Sequence, residues 1–318
     1  MSKYNEESSF LSRLYKERTG YLFILPQFIL FFGLMIYPII SGFHMSLYKI
    51  TLKKETFIGI DNYVRLFQDE SFIKAIMNTI LFVVTVDTLS IVFGIIVSAA
   101  IFNKSNKYVS FIRGCFYIPV AVSMVVMTVT WTFLFSPSQG LINFIIGSFG
   151  GDPVNFLGDE NLVMPIIIFV TFVSNIGQVI VLYVAAMLGI PNELFESAEL
   201  DGASKIKQFT HIIIPLIKQT SMFVFINQTI SVVKIFVVIQ LLTNGGPNHE
   251  SVTLMYYLYE KAFRMNNQMG EAAAIGVIMF LVCLGISLVQ LLMFREKSNK
   301  KILNITSTKR IPSREEKV

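Results

Sequence analysis

The chain has 318 residues, 53% of them hydrophobic and only 15% charged, against about 25% charged in soluble domains. Its mean hydropathy of +0.63 excludes an ordinary water-soluble globule. The net charge of +5 comes from basic residues clustered between apolar stretches, which argues against a nucleic-acid-binding surface.

A spanning helix needs about 20 mostly apolar residues. Six stretches qualify, at roughly 21–44, 75–102, 110–135, 163–189, 213–242 and 272–294. The expected fold is therefore all-α, with six transmembrane helices over 21–294 in the lipid bilayer. A polar leader, 1–20, precedes the first stretch, and a basic tail, 295–318, follows the last. The first stretch is too long for a signal peptide and no small-residue cleavage site follows it, so it reads as a retained span.

Basic residues favour the cytoplasmic side. With both termini inside, eighteen Lys and Arg fall inside and seven outside, and Lys234 is left within a span. The inner set includes Lys104, Lys107 and Arg113 in the second connection and Lys205, Lys207 and Lys218 in the fourth. The outer third connection, roughly 136–162, contains neither Lys nor Arg.

Residues 191–215 form the most informative connection. Pro191 opens a helix, with Glu193 and Glu196 near its positive end. Asp201-Gly202 is a turn signal, and Ala203 to Thr210 can form a second short helix. Pro215 lacks an N–H and disfavours helix at the residue before it, so the next span is expected to restart there. The expectation is a helix–turn–helix on the cytoplasmic face between the fourth and fifth spans.

Glu196-Ser197-Ala198, then Gly202-Ala203, then Ile212-x-Ile214-Pro215 resembles the signature of permease subunits of binding-protein-dependent ABC importers. Ile239 to Pro247, ending Thr-Asn-Gly-Gly-Pro, and Gly59-Ile60-Asp61-Asn62-Tyr63 are similar to the sugar and glycerol-phosphate branch, including maltose-system permeases. The resemblance covers about residues 20–295. It implies a bacterial or archaeal cytoplasmic membrane protein that translocates a carbohydrate. It also implies a second permease subunit, as a heterodimer, two ATPase subunits that carry ATP and Mg, and an extracytoplasmic solute-binding protein. Glu196, Ser197, Ala198, Asp201, Gly202, Ala203 and Pro215 would then form the loop that docks on the ATPase. The read alternatives are a solvated helix with a glycine cap there, and a plain turn at Gly245-Gly246-Pro247.

Polar residues inside spans are costly, and they mark either paths or packing contacts. Asp87 and Lys234, about 18 Å and 12 Å deep by helical rise, would pair, face a translocation path, or only fix packing. Asn175 and Gln178 share a helical face, as do Gln228 and Ser231, and Asn227 adjoins the second pair. Their amides and hydroxyl suit a sugar, and the resemblance places Gln178 and Gln228 at matching positions in maltose-system permeases. Plain interhelical hydrogen bonding is the alternative.

The chain lacks a Gly-x4-Gly-Lys-Ser/Thr loop, so it is expected neither to bind nor to hydrolyse ATP. His44, His211 and His249 are scattered, without metal-ligand spacing, and no nucleophile–base pair stands out, so no catalytic residues are assigned. Rival readings are a glycerol-phosphate or polyol permease and a secondary transporter driven through Asp87 or Lys234. Lys234 as the lone base read within a span favours a neutral sugar.

Overall fold

The computed structural model describes residues 18–51, 54–104, 106–265 and 268–308; most of the leader and the end of the tail lie outside the described residues. The first helix, α1 (Arg18–Ser46), leads into a β-hairpin, β1 (Tyr48–Thr51) and β2 (Lys54–Phe57), which pair antiparallel with Tyr48 opposite Phe57. The fold is thus helical with one small hairpin, not strictly all-α. The alternation in Tyr48-Lys49-Ile50-Thr51 is too short to stand out beside the long apolar runs.

Two helices follow, α2 (Asp61–Gln68) and α3 (Glu70–Ile101). The Asp69 side chain caps α3 by accepting from the Ser71 N–H. Next come α4 (Asn106–Ala121), α5 (Met124–Leu134), α6 (Leu141–Ser148) and α7 (Val163–Leu188). The fourth connection holds α8 (Asn192–Leu200) and α9 (Lys205–Leu216). The chain ends in α10 (Lys218–Val233), α11 (Val237–Leu242), α12 (Leu254–Tyr259) and α13 (Met269–Thr308).

Four helices are long and apolar enough to cross a membrane: α1, α3, α7 and the Met269–Val289 part of α13. Two further spans qualify only as bent pairs, α4 with α5 at 93° and α9 with α10 at 64°. Proline accounts for part of this. Pro119 lies inside α4, two residues before its end, where the ring disrupts the ladder.

Pro215 acts differently from the expected restart. A π turn, Phe209–Ile213, precedes it, and the Ile214 N–H bonds to the Phe209 carbonyl. The wider turn absorbs the missing donor, and the helix breaks at Ile217 instead. The same device precedes Pro38, where the Tyr37 N–H bonds to the Phe32 carbonyl.

Two apolar cores stack along α3 and α7. One gathers Phe72, Phe82, Val86, Ile167, Ile239 and Ile275; the other gathers Ile180, Tyr183, Met187, Ile213, Ile217 and Val224. Small residues bring the helices together. A Cβ on Gly177 would stand 2.0 Å from the Phe116 carbonyl oxygen, and one on Gly94 would stand 2.6 Å from a Val179 methyl. By contrast, the most apolar window of α1 buries none of its residues.

Candidate functional site

The structure groups the polar and glycine residues of interest into three regions: one at the α8–α9 connection, one in the α3–α10 seam and one at the opposite end of the bundle.

Pro191 precedes α8 in extended conformation (ψ 131°), and Glu193 lies in the first turn. The helix closes on Gly202 at φ +71°. The Gly202 N–H donates to the Glu199 carbonyl (3.0 Å), and the Ala203 N–H donates to the Ala198 carbonyl (2.8 Å). That pair of bonds is a Schellman cap, and its left-handed residue favours glycine. Asp201 ends the helix, and Ser204 opens α9 by accepting from the Lys207 N–H. Lys205 pairs with Glu199 and holds that carboxyl below its usual range, by hydrogen bond first and charge second.

None of the α8 residues is buried. Glu196 and Ser197 face solvent, Ala198 is half-buried, and Leu200 and Ile206 flank the turn at 90% and 77% exposure. Phe195 ties α8 to the end of α3 by packing on Phe102, with ring centroids 5.8 Å apart. The connection is therefore locally rigid and presents an apolar tip outward. Pro215 sits in the last turn of α9, ahead of the bend.

The intramembrane residues separate into two sets. Gln178, Asn227, Ser231 and Lys234 are exposed on this chain and Asn175 is half-buried. The Asn175 and Asn227 amides donate to the carbonyls of Thr171 (2.8 Å) and Phe223 (2.9 Å), one turn earlier. Gln228, grouped with Ser231 on sequence, turns the other way: it is buried and its amide donates to the Ser90 hydroxyl at 3.3 Å.

Asp87 also sits in this seam, accepting from the Thr229 hydroxyl at 2.6 Å. Among the described residues no ion pair joins Asp87 to Lys234. The depth count assumed one straight helix over 213–242. The chain bends before Lys218 and leaves helix at Lys234, the C-cap of α10, which turns the lysine away from α3. Lys234 instead lines an apolar cavity of about 570 Å³ with Met279, Phe280 and Cys283.

The charged network of the third region was not singled out from sequence, which marked only its Thr-Asn-Gly-Gly-Pro turn. Lys261, 7% exposed, bonds to Glu271 (3.0 Å) and Asp69 (3.3 Å), while Arg65 lies 3.9 Å from Glu271. The Tyr257 hydroxyl donates to Asp69. Burial raises the Asp69 pKa, but hydrogen bonds from Tyr257 and Lys261 and the Lys261 charge outweigh it, leaving the carboxyl below 3.8. Burial and the Asp69 bond push the Tyr257 hydroxyl well above its ordinary value.

Alongside, Arg264 donates to Asn244 (2.7 Å) and the Tyr256 hydroxyl (2.9 Å). It thereby clamps the left-handed turn at Asn244 (φ +53°) and Gly245 (φ +83°), which leads to a cis Gly246–Pro247 bond. A Cβ at Gly245 would stand 2.5 Å from the Tyr256 ring, so the glycine is required there by both space and φ. The signal available in the sequence was Thr-Asn-Gly-Gly-Pro itself; its partners lie up to twenty residues away.

Known proteins are similar to this chain. The probable ABC transporter permease protein YurN of Bacillus subtilis is 34% identical over 281 residues, covering 86% of this chain and 95% of that one. The arabinooligosaccharides transport system permease protein AraP of the same organism is 31% identical, covering 87% and 88%. A chain in the crystal structure of a bacterial alginate ABC transporter, in complex with an alginate pentasaccharide-bound periplasmic protein, superposes with a TM-score of 0.82. It is 26% identical, covering 91% of this chain and 98% of that one. The family model for the inner membrane component of binding-protein-dependent transport systems matches residues 90–298, and the chain belongs to that family.

Proposed function

We propose that this chain is one of two permease subunits, in a heterodimer, of an ABC importer that brings a carbohydrate into the cytoplasm. Each bent pair counts as one span in this reading, giving six. Both termini would face the cytoplasm, with the leader, 1–20, before the span domain, 21–294, and the tail, 295–318, after it. The family membership supports it, as do the arabinooligosaccharide and alginate systems among the similar proteins.

The observation that carries the mechanism is the α8–α9 connection. A helix that buries nothing, capped by glycine and tipped with Leu200 and Ile206, is stable in place yet leaves apolar surface for another protein to cover. Two ATPase subunits would hold ATP and Mg and receive this tip, with Glu196 and Ser197 at the contact. Their closure would push on α8. Phe195 would pass the motion to α3 through Phe102, and α9 would pass it to α10 across the 64° bend. A solute-binding protein would deliver cargo to the opposite face. Gln178, Asn227 and Ser231, with Asn175 beside them, offer donors and acceptors to sugar hydroxyls along the path; Gln228 and Asp87 instead hold the α3–α10 seam.

The test is uptake and ATPase activity of the reconstituted complex with Glu196→Ala and Gly202→Val. Nothing lies within 4 Å of a Cβ on Gly202, so the valine strains only the left-handed turn, by roughly 1–2 kcal/mol, and leaves insertion intact. The expected outcome is loss of uptake with ATP hydrolysis no longer stimulated by cargo. Full uptake in both variants would overturn the docking role.

A further inference from the structure

Arg113 was assigned by sequence to a connection, but it lies inside α4, seven residues past its first residue, about 10 Å along the helix. It lines an open cavity of about 380 Å³ between α4 and α7 with Ser110, Gly114, Tyr117 and Val181. Ser110, Arg113 and Tyr117 follow helical spacing, so their side chains share one face.

None of the three polar side chains has a protein partner among the described residues. Several hydroxyls elsewhere in the bundle are spent on backbone. The hydroxyls of Thr128, Ser174, Ser221 and Thr229 each bond the carbonyl four residues earlier, whereas that of Ser110 stays free. A half-buried guanidinium beside two free hydroxyls is five strong donors and two adaptable groups around an empty, roomy space. That chemistry fits a phosphate, which arginine grips through two parallel bonds.

The surroundings specify the source. Phe111 and Ile118, on the neighbouring face of α4, are 68% and 63% exposed, so apolar surface borders the side that carries the cavity. Lys104 and Lys107, also exposed, add positive charge at the end of α4. Basic pockets between helices at the cytoplasmic edge of a membrane attract anionic lipid headgroups. We propose that the Ser110–Arg113–Tyr117 cavity binds the headgroup phosphate of an anionic phospholipid in the inner leaflet. The acyl chains would lie along Phe111 and Ile118. This rests on the cytoplasmic orientation proposed above for the Lys104 end.

Native mass spectrometry of the detergent-purified transporter complex, titrated with phosphatidylglycerol, tests the site. Arg113→Gln should lower apparent affinity for the tightest-bound lipid about tenfold, the worth of one charge-assisted contact. Arg113→Lys should retain part of it, Lys234→Gln should leave it unchanged, and phosphatidylcholine should bind all forms alike. Equal phosphatidylglycerol occupancy in wild type and a folded Arg113→Gln complex would overturn the proposal. So would displacement of the lipid by millimolar inorganic phosphate, which would mark a site for a free anion, or cross-linking of Gly114→Cys to the second permease, which would mark a protein contact. Labelling of Lys104→Cys in sealed right-side-out vesicles separates the two levels. Reaction with an impermeant reagent added outside would reject the orientation, while lipid loss in Arg113→Gln would still report the site.

Discussion

The two ends of the helix bundle are built on opposite plans. At the α8–α9 end, one exposed ion pair, Lys205 with Glu199, and a glycine cap shape a connection whose first helix buries no residue. At the other end, Lys261, Asp69, Glu271, Tyr257, Arg264 and Asn244 satisfy one another almost completely. An exposed ion pair is worth little, about 0–1 kcal/mol, so the first end is held by backbone geometry and stays available to a partner. A buried cation between two carboxylates is costly to disturb, so the second end is closed on itself and ties α2, α3, α12 and α13 together. The surface proposed for docking is left bare, whereas the loops at the other end hold their shape by pairing Lys261 and Arg264 with neighbouring carboxylates and Asn244.

The largest effect expected within this contrast is at Lys261. Lys261→Met strands Asp69 and Glu271 in a half-buried site and should cost about 3–5 kcal/mol of stability, read as a lower unfolding temperature in detergent. Glu199→Gln, at the other end, should leave that temperature unchanged. The pH dependence follows the same logic. The Asp69 carboxyl titrates below its ordinary 3.8 in the folded chain. Its contribution is therefore complete above that value and lost as pH falls through the lower, folded one. The difference in unfolding temperature between wild type and Asp69→Asn should thus hold steady between pH 7 and about pH 5, and shrink only in stronger acid.

A smaller effect is expected in the middle of the bundle. Gly177→Ala forces a methyl against the Phe116 carbonyl, a backbone atom that cannot rotate away, and should cost about 1–3 kcal/mol. Gly94→Ala meets only the side chains of Val179 and Tyr183 and should cost less. The comparison is a thermal-unfolding series on the two variants.

The smallest effect is a coupling. Asp87 bonds Thr229, and Lys234 faces another cavity, so Asp87→Asn and Lys234→Gln should add to within about 0.5 kcal/mol in the double variant. A larger interaction energy would restore the ion pair.

Much of this was legible in the apolar runs. The span at 163–189 corresponds to α7 almost residue for residue, because it carries no proline after its first turn and no break. The runs at 110–135 and 213–242 fall on bent helix pairs, α4 with α5 and α9 with α10, but were read as straight. A hydropathy run records how apolar a segment is, not its direction, and the bends arise where Pro119 and the Ile217 break interrupt the hydrogen-bond ladder. That error also produced the Asp87–Lys234 pairing, since depth counted along a straight helix fails past a 64° turn. Gly202 was legible as a turn because only local backbone bonds define it. The Lys261 network was not, because its members are separated by up to 206 positions, Arg65 to Glu271, and only the packing of α3 against α12 and of α2 against α13 brings them together.

Co-purification tests the permease assignment most directly. The full chain would be extracted from its native membrane in mild detergent and the accompanying proteins identified by mass. The expected result is recovery of a second permease, an ATPase and a solute-binding protein, with the ATPase lost from a variant carrying Leu200→Asp and Ile206→Asp at the α8–α9 tip. Recovery of the chain alone, transporting in liposomes without ATP, would contradict it.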